Sequence, residues 1–279
     1  MRIGSREFKT KGRTYIMGIV NVTEDSFYDG GKNLNLREMT ENVKKMISDG
    51  ADIIDVGGES TRPGYVPVNE DVERVRVTKA VRAIREISDI PVSVDSMKAA
   101  VCEAALENGA DLINDVWGAR DDEMVSVIKR HNAPCVLMHN RDEIYEEKSP
   151  EDYLKTLEEE LAGIAERAVK RGISPDRVIL DPGIGFKKTV EQNLIITANL
   201  KRLCDTGYPL LLGASRKSFI GKSLDLSVTE RLAPTITTSV LAAMAGCMFV
   251  RVHDVKENRL AVEMFECIRE RDLDGLYKH

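Results

Sequence analysis

Polar side chains stand at the ends of short apolar runs along this chain, and their types could perform chemistry together. Asp55 follows a pair of isoleucines, Asp95 a valine-rich run and Asp181 a run of Val, Ile and Leu. The residues at such positions are Asn21, Asp55, Asp95, Asn114, Asp181, Ser215, Lys217, Arg251 and His253. Carboxylates, an amide and a lysine suit a flat heterocycle with ring N–H donors and ring acceptors. Arginine and histidine, with Asn21 opposite, suit a phosphate or diphosphate.

The loop after Asp55 adds further binding chemistry. It reads Gly57-Gly58-Glu59-Ser60-Thr61-Arg62-Pro63-Gly64. Paired glycines let the backbone approach a ligand closely, while Thr61 and Arg62 offer a hydroxyl and a forked cation. We interpret this segment as a binding loop.

The apolar runs that carry these side chains alternate with segments of helical periodicity. Short, continuously apolar runs are typical of buried parallel strands. Eight strand–helix units follow a short hairpin in residues 2–14, and the predicted strands are 15–20, 53–54, 91–94, 112–113, 134–138, 178–180, 210–212 and 249–250. Eight units and a length of 279 residues predict a (β/α)8 TIM barrel, an α/β fold, as a single domain over residues 1–279.

The connecting helices are predicted from residues that recur at helical spacing. In the second helix the predicted inner face comprises Val72, Val75, Ala80, Ile84 and Ile87. Longer helices are predicted over 151–171, 190–203 and 229–245.

In such a barrel the carboxyl ends of all strands open at one mouth, so the polar residues would converge there. A single Asn or Asp at a strand end is an ordinary cap about as often as it is a functional residue. The recurrence of polar residues at eight strand ends favours one shared site. Asp55 and Asp95 adjoin apolar residues and must be paired or ligand-bound to tolerate burial. For Arg251 the alternative is a surface salt bridge, and for His253 a solvated side chain. A doubly wound open sheet is the alternative fold, but no G-x-G-x-x-G motif follows the first strand.

Composition and charge exclude several classes of protein. The formal net charge is −6 and the charges are mixed along the chain, which disfavours nucleic acid as a partner. Five widely spaced cysteines without a C-x-x-C pair indicate neither a disulfide framework nor a zinc site, and favour a reducing cytoplasm. The longest apolar run, 240–250, is shorter than the ~20 residues of a membrane span, and the first residues lack an apolar leader. We expect no membrane partner.

Seven motifs resemble those of one enzyme family, the dihydropteroate synthases, in order along the whole chain. The motifs that carry the resemblance are 17–27, 55–64, 94–96, 113–116, 181–186, 213–221 and 251–255. The resemblance implies the (β/α)8 barrel and a transferase of folate biosynthesis. It would condense 6-hydroxymethyl-7,8-dihydropterin diphosphate with 4-aminobenzoate to give 7,8-dihydropteroate and diphosphate. Sulfonamides, as aminobenzoate mimics, would target it.

The resemblance also implies roles for individual residues. Those matching the pterin ligands are Asp95, Asn114, Asp181 and Lys217. Those matching the diphosphate pocket are Asn21, Arg251 and His253, with Asn21 also binding Mg²⁺ as the cofactor. Those matching the aminobenzoate pocket are Thr61, Arg62, Pro63, Phe186, Ser215 and Lys217. Catalysis is expected to rest on Asp95, Lys217, Arg251 and His253.

Three positions depart from the family pattern, and two other functions stay open. Glu24 stands where the family usually has Pro, Lys187 where it has Gly, and Asn140 where it has Met. A pterin-binding methyltransferase domain shares the barrel and the Asp/Asn grip on a pterin. A catalytically silent pterin-binding protein is the second alternative.

The family implies a homodimer as the quaternary state. The apolar residues that could supply the contact are Met244, Met248, Met264 and Phe265. A role in the core is an equal alternative for each of them.

Overall fold

A computed structural model describes residues 1–22, 32–59, 67–144, 149–273 and 275, without the side chains of 32–35. Within them the strands are β1 Arg2–Ile3, β2 Arg6–Glu7, β3 Tyr15–Asn21, β4 Ile53–Gly57, β5 Val92–Asp95, β6 Leu112–Asp115, β7 Cys135–Met138, β8 Val178–Asp181, β9 Leu211–Leu212 and β10 Phe249–Val252. The α-helices are α1 Lys32–Ser48, α2 Glu70–Arg85, α3 Ala99–Glu107, α4 Asp122–His131, α5 Pro150–Lys170, α6 Val190–Ala198, α7 Leu200–Cys204, α8 Ser218–Leu224, α9 Leu232–Ala245 and α10 Val255–Arg269.

The strands from β3 to β10 form one closed parallel barrel. Their order is β8-β7-β6-β5-β4-β3-β10-β9, and a parallel bridge between Leu180 and Leu210 joins the two ends. β1 and β2 pair antiparallel as the predicted hairpin. The structure confirms the predicted (β/α)8 barrel. No described helix is long and apolar enough to cross a lipid bilayer.

Side chains alternate between the two sides of the barrel wall, as strand geometry requires. Residues such as Ile54 and Val94 pack outward in the large core against the helices. A second core lies inside the barrel, where Ile53, Ile179 and Phe249 meet Phe8 beside the hairpin. The Phe8 and Phe249 ring centroids are 5.7 Å apart. On β4, β6, β8 and β10 the inward position two residues further along carries a polar side chain of the site, as Asp55 follows Ile53.

Polar caps set where several helices begin. Asn69 accepts a hydrogen bond from the Asp71 N–H at the start of α2, and Ser149 accepts one from the Asp152 N–H at the start of α5. Thr189 and Gln192 form a reciprocal capping box before α6. These caps fix the helices that follow β4, β7 and β8.

Two predicted inner-face residues of α2 are wrong. Val72 and Val75 are 42% and 48% exposed, whereas Glu73 and Arg76 are buried beside Val77. The inner face is therefore rotated relative to the valine pattern. It accommodates Glu73 because that carboxylate has buried polar partners, which apolar periodicity does not register.

Two other helices differ from their predicted extent. The predicted helix over 190–203 is divided at Asn199, where φ is −120° and the side-chain amide donates to the Ile195 carbonyl. That local bond competes with helix continuation. The predicted helix over 229–245 starts at Leu232, after a 3₁₀ turn at Val228–Glu230, and α8 precedes both.

Candidate active site

The barrel places four of the predicted polar residues on its inner wall, two of them on adjacent strands. Strand register aligns Asp95 with Asn114 on one side and with Gly57 on the other. Asp181 ends β8 and Arg251 lies in β10. Asp95, Asn114 and Asp181 are each at most 7% exposed. The predicted convergence at one mouth is thus observed for these strand ends.

Arg251 links two carboxylates across the barrel lumen. Its Nε donates to Asp55 Oδ2 at 2.6 Å, and its Nη2 donates to Asp95 Oδ2 at 2.5 Å. β10 and β4 flank β3, so this side chain spans strands inside the barrel rather than on its surface. Asn114 Nδ2 donates to the same Asp55 oxygen at 3.4 Å. The alternative of a surface salt bridge is excluded by this geometry.

The two carboxylates keep one free acceptor atom each. Asp55 Oδ1 and Asp95 Oδ1 are buried and lack a hydrogen-bond partner among the described residues. Burial raises the pKa of Asp95 to about 7, although Arg251 opposes the shift. The pKa of Arg251 is raised by both carboxylates, so it stays charged. Unpaired buried acceptors beside a fixed cation form a surface ready to receive N–H donors.

Asp181, Lys217 and Phe186 form the adjoining wall of the site. The Gly183 N–H donates to Asp181 Oδ1 at 2.7 Å, and burial raises the Asp181 pKa. Lys217 Nζ lies 4.7 Å from the Phe186 ring centroid and donates to the Ile184 carbonyl. Burial lowers the Lys217 pKa to about 8, and Asp181 opposes that shift. A ring could stack near Phe186 while its edge bonds these groups.

Ser215 and His253 are brought together at the same mouth. Ser215 Oγ and His253 Nδ1 are 3.0 Å apart, and the backbone N–H of His253 donates to Ser215 Oγ at 3.2 Å. Next to them, the Arg216 guanidinium binds both Asp254 oxygens, at 2.8 and 2.6 Å. This bidentate pair fixes the loop after β9 to the end of β10. Ser215 and His253 are therefore held in place by their neighbours.

Asn21 fits the predicted magnesium role only as one ligand among several. It is exposed at the end of β3, and its Oδ1 lies 3.7 Å from where a Cβ on Gly57 would stand. No cluster of three or more His, Cys, Asp or Glu side chains in the described ranges could hold a metal alone. Mg²⁺ prefers oxygen ligands and commonly combines one protein ligand with substrate phosphates and water. The donor chemistry at Asn21 is compatible with that arrangement.

Predicted residues on two loops lie outside the described part of the chain. These are Thr61, Arg62 and Pro63, together with the departure at Glu24. The residues that flank the loop containing Thr61 are described. Glu59 Oε2 accepts from the Val68 N–H at 2.8 Å and from Lys98 Nζ at 2.6 Å. Lys98 Nζ also donates to the Val68 carbonyl at 2.7 Å. The two ends of residues 60–67 are thereby joined.

A charge cluster behind this loop was missed by sequence reasoning. Glu73 on α2 is 1% exposed and accepts from Ser96 Oγ at 2.7 Å and from Lys98 Nζ at 2.5 Å. The signal available was a glutamate at helical spacing from Val77 and Ala80, on an otherwise apolar face. The cluster ties α2 to the residue directly after Asp95.

The departure at Lys187 lies at a backbone position that suits glycine better than lysine. Its φ is +45°, in the left-handed region where glycine carries no steric penalty. The side chain is exposed. The other departure, Asn140, donates through Nδ2 to the Val116 carbonyl at 3.3 Å.

Comparison with known proteins agrees with this geometry. The family profile described as "Pterin binding enzyme" matches residues 17–253. A dihydropteroate synthase of Clostridium beijerinckii is 52% identical over 97% of this chain and 100% of its own. The structure of a Clostridium difficile dihydropteroate synthase in the presence of pteroic acid superposes with a TM-score of 0.86, at 43% identity over 96% of this chain and 98% of that one.

A second solved structure extends the comparison to another ligand. It is a Xanthomonas albilineans dihydropteroate synthase with 4-aminobenzoic acid, with a TM-score of 0.86, 34% identity, and coverage of 92% of this chain and 93% of that one. Sequence identity, coverage and fold agree along nearly the whole length, with the polar strand ends inside the matched region. The chain therefore belongs to the dihydropteroate synthase family of pterin binding enzymes.

Proposed function

We propose that this chain condenses 6-hydroxymethyl-7,8-dihydropterin diphosphate with 4-aminobenzoate in folate biosynthesis. The observation that carries the proposal is the lumen wall, where buried acceptor atoms of Asp55, Asp95 and Asp181 stand beside Lys217 and Arg251. A pterin edge has ring N–H and amino donors next to ring nitrogen and oxygen acceptors. The acceptors and cations of the wall complement that edge.

The pterin would be held by Asp95, Asn114, Asp181 and Lys217. Asp181 accepts from the donor edge, while Lys217, held near Phe186, donates to the ring acceptors. Asp95 faces the lumen next to Asn114 and favours positive charge that develops on the pterin methylene. Burial of these groups strengthens each interaction because little water competes.

The reaction breaks the methylene C–O bond and forms a C–N bond. Diphosphate leaves with the oxygen, and the attacking amine loses one proton. Arg251 and His253 would stabilise the departing anion, and the aminobenzoate would contact Ser215, Phe186 and Thr61, Arg62 and Pro63 of the binding loop. Bound Mg²⁺, held by Asn21 and the diphosphate, would neutralise charge on the leaving group. An aromatic amine is already a neutral nucleophile near pH 7, so no activating triad is required.

Arg251 has a wider role than the anion alone. It was expected to meet only diphosphate, but it already binds Asp55 and Asp95. It therefore orients the pterin-facing carboxylate as well. Loss of Arg251 should weaken pterins with and without diphosphate, whereas loss of His253 should weaken only the diphosphate form.

The binding claim is tested by calorimetry with a pterin that lacks diphosphate. Asn114→Leu removes an amide from the wall at similar volume, and we expect affinity to fall about tenfold or more, since a buried polar partner is left unpaired. Asn199→Leu, between α6 and α7 in the helical layer, is the matched control. Unchanged pterin affinity in Asn114→Leu would contradict the placement of the pterin.

We further propose a homodimer built on the last two helices. Leu260, Met264 and Ile268 recur every four residues on α10 and are 58%, 60% and 49% exposed, and Leu241 on α9 is 39% exposed. Of the expected contact residues, Met264 fits this surface, whereas Met248 and Phe265 are buried in the core. Such an exposed apolar stripe on a helix favours association. Met264→Glu should shift light-scattering mass to a monomer, and a wild-type mass of one chain would refute the proposal.

The proposed location is the cytoplasm. The support is the cysteine pattern, five scattered thiols without a disulfide framework. Fractionation of cells producing the chain, followed by immunoblotting, tests it, and recovery outside the cytoplasmic fraction would contradict it.

A further inference from the structure

A lysine outside the expected ligand set is buried behind Asp181. Lys188, in the segment between β8 and α6, is 9% exposed. Its Nζ donates to the Phe186 carbonyl at 3.1 Å and the His139 carbonyl at 3.4 Å. Among the described residues no carboxylate oxygen lies within 4.0 Å of this ammonium. Buried ammonium groups are rare without a paired charge, so this one needs an explanation.

The position of Lys188 connects it to the pterin-facing carboxylate. A Cβ on Gly183 would lie 3.1 Å from Lys188 Nζ, and the Gly183 N–H itself donates to Asp181 Oδ1. The His139 N–H in turn donates to the Asp181 carbonyl at 2.8 Å. Lys188 thus stands directly behind the turn that carries Asp181. It joins that turn to the end of β7.

The charges around Lys188 leave Asp181 as the acid that faces it. Glu160 on α5 is engaged by His139 Nε2 at 2.5 Å and by Arg141 Nε at 2.9 Å. The nearby cations are Lys217 and Arg141, and both lower the pKa of Lys188. Burial lowers the Lys188 pKa to about 7, and Asp181 is the main group that opposes this shift. Burial raises the pKa of Asp181, and Lys217, the Gly183 N–H and then Lys188 lower it.

We propose that Lys188 is a positioning residue that keeps Asp181 in its charged, hydrogen-bond-accepting form and fixes the turn around it for pterin binding. The inference rests on the proposed pterin site but adds a residue that touches no ligand. A neutral side chain at this place lets Asp181 take up a proton at higher pH. The affinity for a pterin then falls first on the acid side, because a protonated carboxyl no longer accepts at both oxygens.

The test compares four proteins at pH 5.5, 7 and 8.5. Lys188→Gln removes the positive charge but keeps N–H donors for the two carbonyls. Lys188→Arg keeps the charge and the donors. Lys187→Gln changes the exposed neighbouring lysine and is the matched control. Calorimetry with a pterin lacking diphosphate gives the ratio of variant to wild-type Kd, which cancels the ligand's own titration. We expect the Lys188→Gln ratio to exceed one at pH 5.5, by at most about tenfold per unit of Asp181 pKa shift, and to approach one at pH 8.5. Lys188→Arg and Lys187→Gln should match wild type throughout.

A second readout does not depend on pterin binding. In protein labelled with ¹³C-aspartate, the Asp181 carboxyl signal is assigned by its loss in Asp181→Asn and titrated by NMR. Its pKa should rise in Lys188→Gln and stay in place in the two control variants. An unmoved Asp181 pKa would overturn the inference even if pterin binds, as would a Kd ratio that is constant with pH. A raised pKa in a protein that binds no pterin would support the coupling and instead refute the proposed function.

Discussion

Replacing Arg251 should destabilise the protein by leaving two buried carboxylates without their cation and its hydrogen bonds. Arg251→Met keeps much of the side-chain volume but leaves Asp55, fully buried, facing Asp95, which is 7% exposed. Breaking a buried ion pair by removing one partner costs about 3–5 kcal/mol. At roughly 2–4 °C per kcal/mol for a domain of this size, the melting temperature should fall by roughly 6–20 °C.

The matched control for this variant is a surface arginine that also meets two carboxylates. Arg202 binds Glu158 and Glu151, but its side chain is 36% exposed. Exposed pairs contribute about 0–1 kcal/mol, so Arg202→Met should change stability little. Adding Asp55→Asn to Arg251→Met should recover part of the loss, because it removes one of the two stranded charges.

The deficit of Arg251→Met should also depend on pH. The folded pKa of Asp95, about 7, lies above its ordinary value of 3.8. The contribution of Asp95 to the free energy of unfolding is therefore fully present below pH 3.8, and it is lost as the pH rises through 7. Without Arg251 the loss is larger, so the gap from wild type should widen between pH 5 and 8 in urea denaturation. A deficit no larger than that of Arg202→Met, or no recovery with Asp55→Asn, would refute the reasoning.

Three further predictions concern single side chains. Asp181→Asn replaces an acceptor-only carboxylate with an amide that presents a donor, so pterin affinity by calorimetry should fall about tenfold or more; equal affinity would remove Asp181 from the site. Burial lowers the pKa of His139 to about 4 because it disfavours the charged imidazole, so the stability of the protein should fall as the pH drops from 6.5 towards 4. In His139→Gln the melting temperature should change less over that pH range. Lys187→Val should destabilise by about 1 kcal/mol or more and Lys187→Gly should not, because the φ of +45° suits glycine; equal melting temperatures would contradict this strain.

The barrel and its lumen site could be predicted because they depend on local periodicity. An inward residue at a strand end is two positions beyond an inward apolar residue, as Asp181 is beyond Ile179, so alternation and strand order suffice. The pairing of Arg251 with Asp55 and Asp95 could not be predicted, because strand order does not determine how a long side chain extends across the lumen. That information lies in contacts between distant segments.

The buried charges were harder to predict for the same reason. Glu73 and Lys188 look like solvent-facing residues in a helix and a loop, and only their partners make burial tolerable. Those partners, Lys98 and the carbonyls of Phe186 and His139, become neighbours only after the chain has folded. Sequence patterns predict burial for apolar groups, whereas buried ions require the three-dimensional contacts.

The most direct test of the central claim is a single assay with both substrates. Purified protein is given 6-hydroxymethyl-7,8-dihydropterin diphosphate, 4-aminobenzoate and Mg²⁺, and released diphosphate and 7,8-dihydropteroate are quantified in the same samples. The lumen site predicts equimolar formation of the two products, and no 7,8-dihydropteroate when either substrate is omitted. Diphosphate without dihydropteroate, or neither product from a folded protein that binds pterin, would contradict the account.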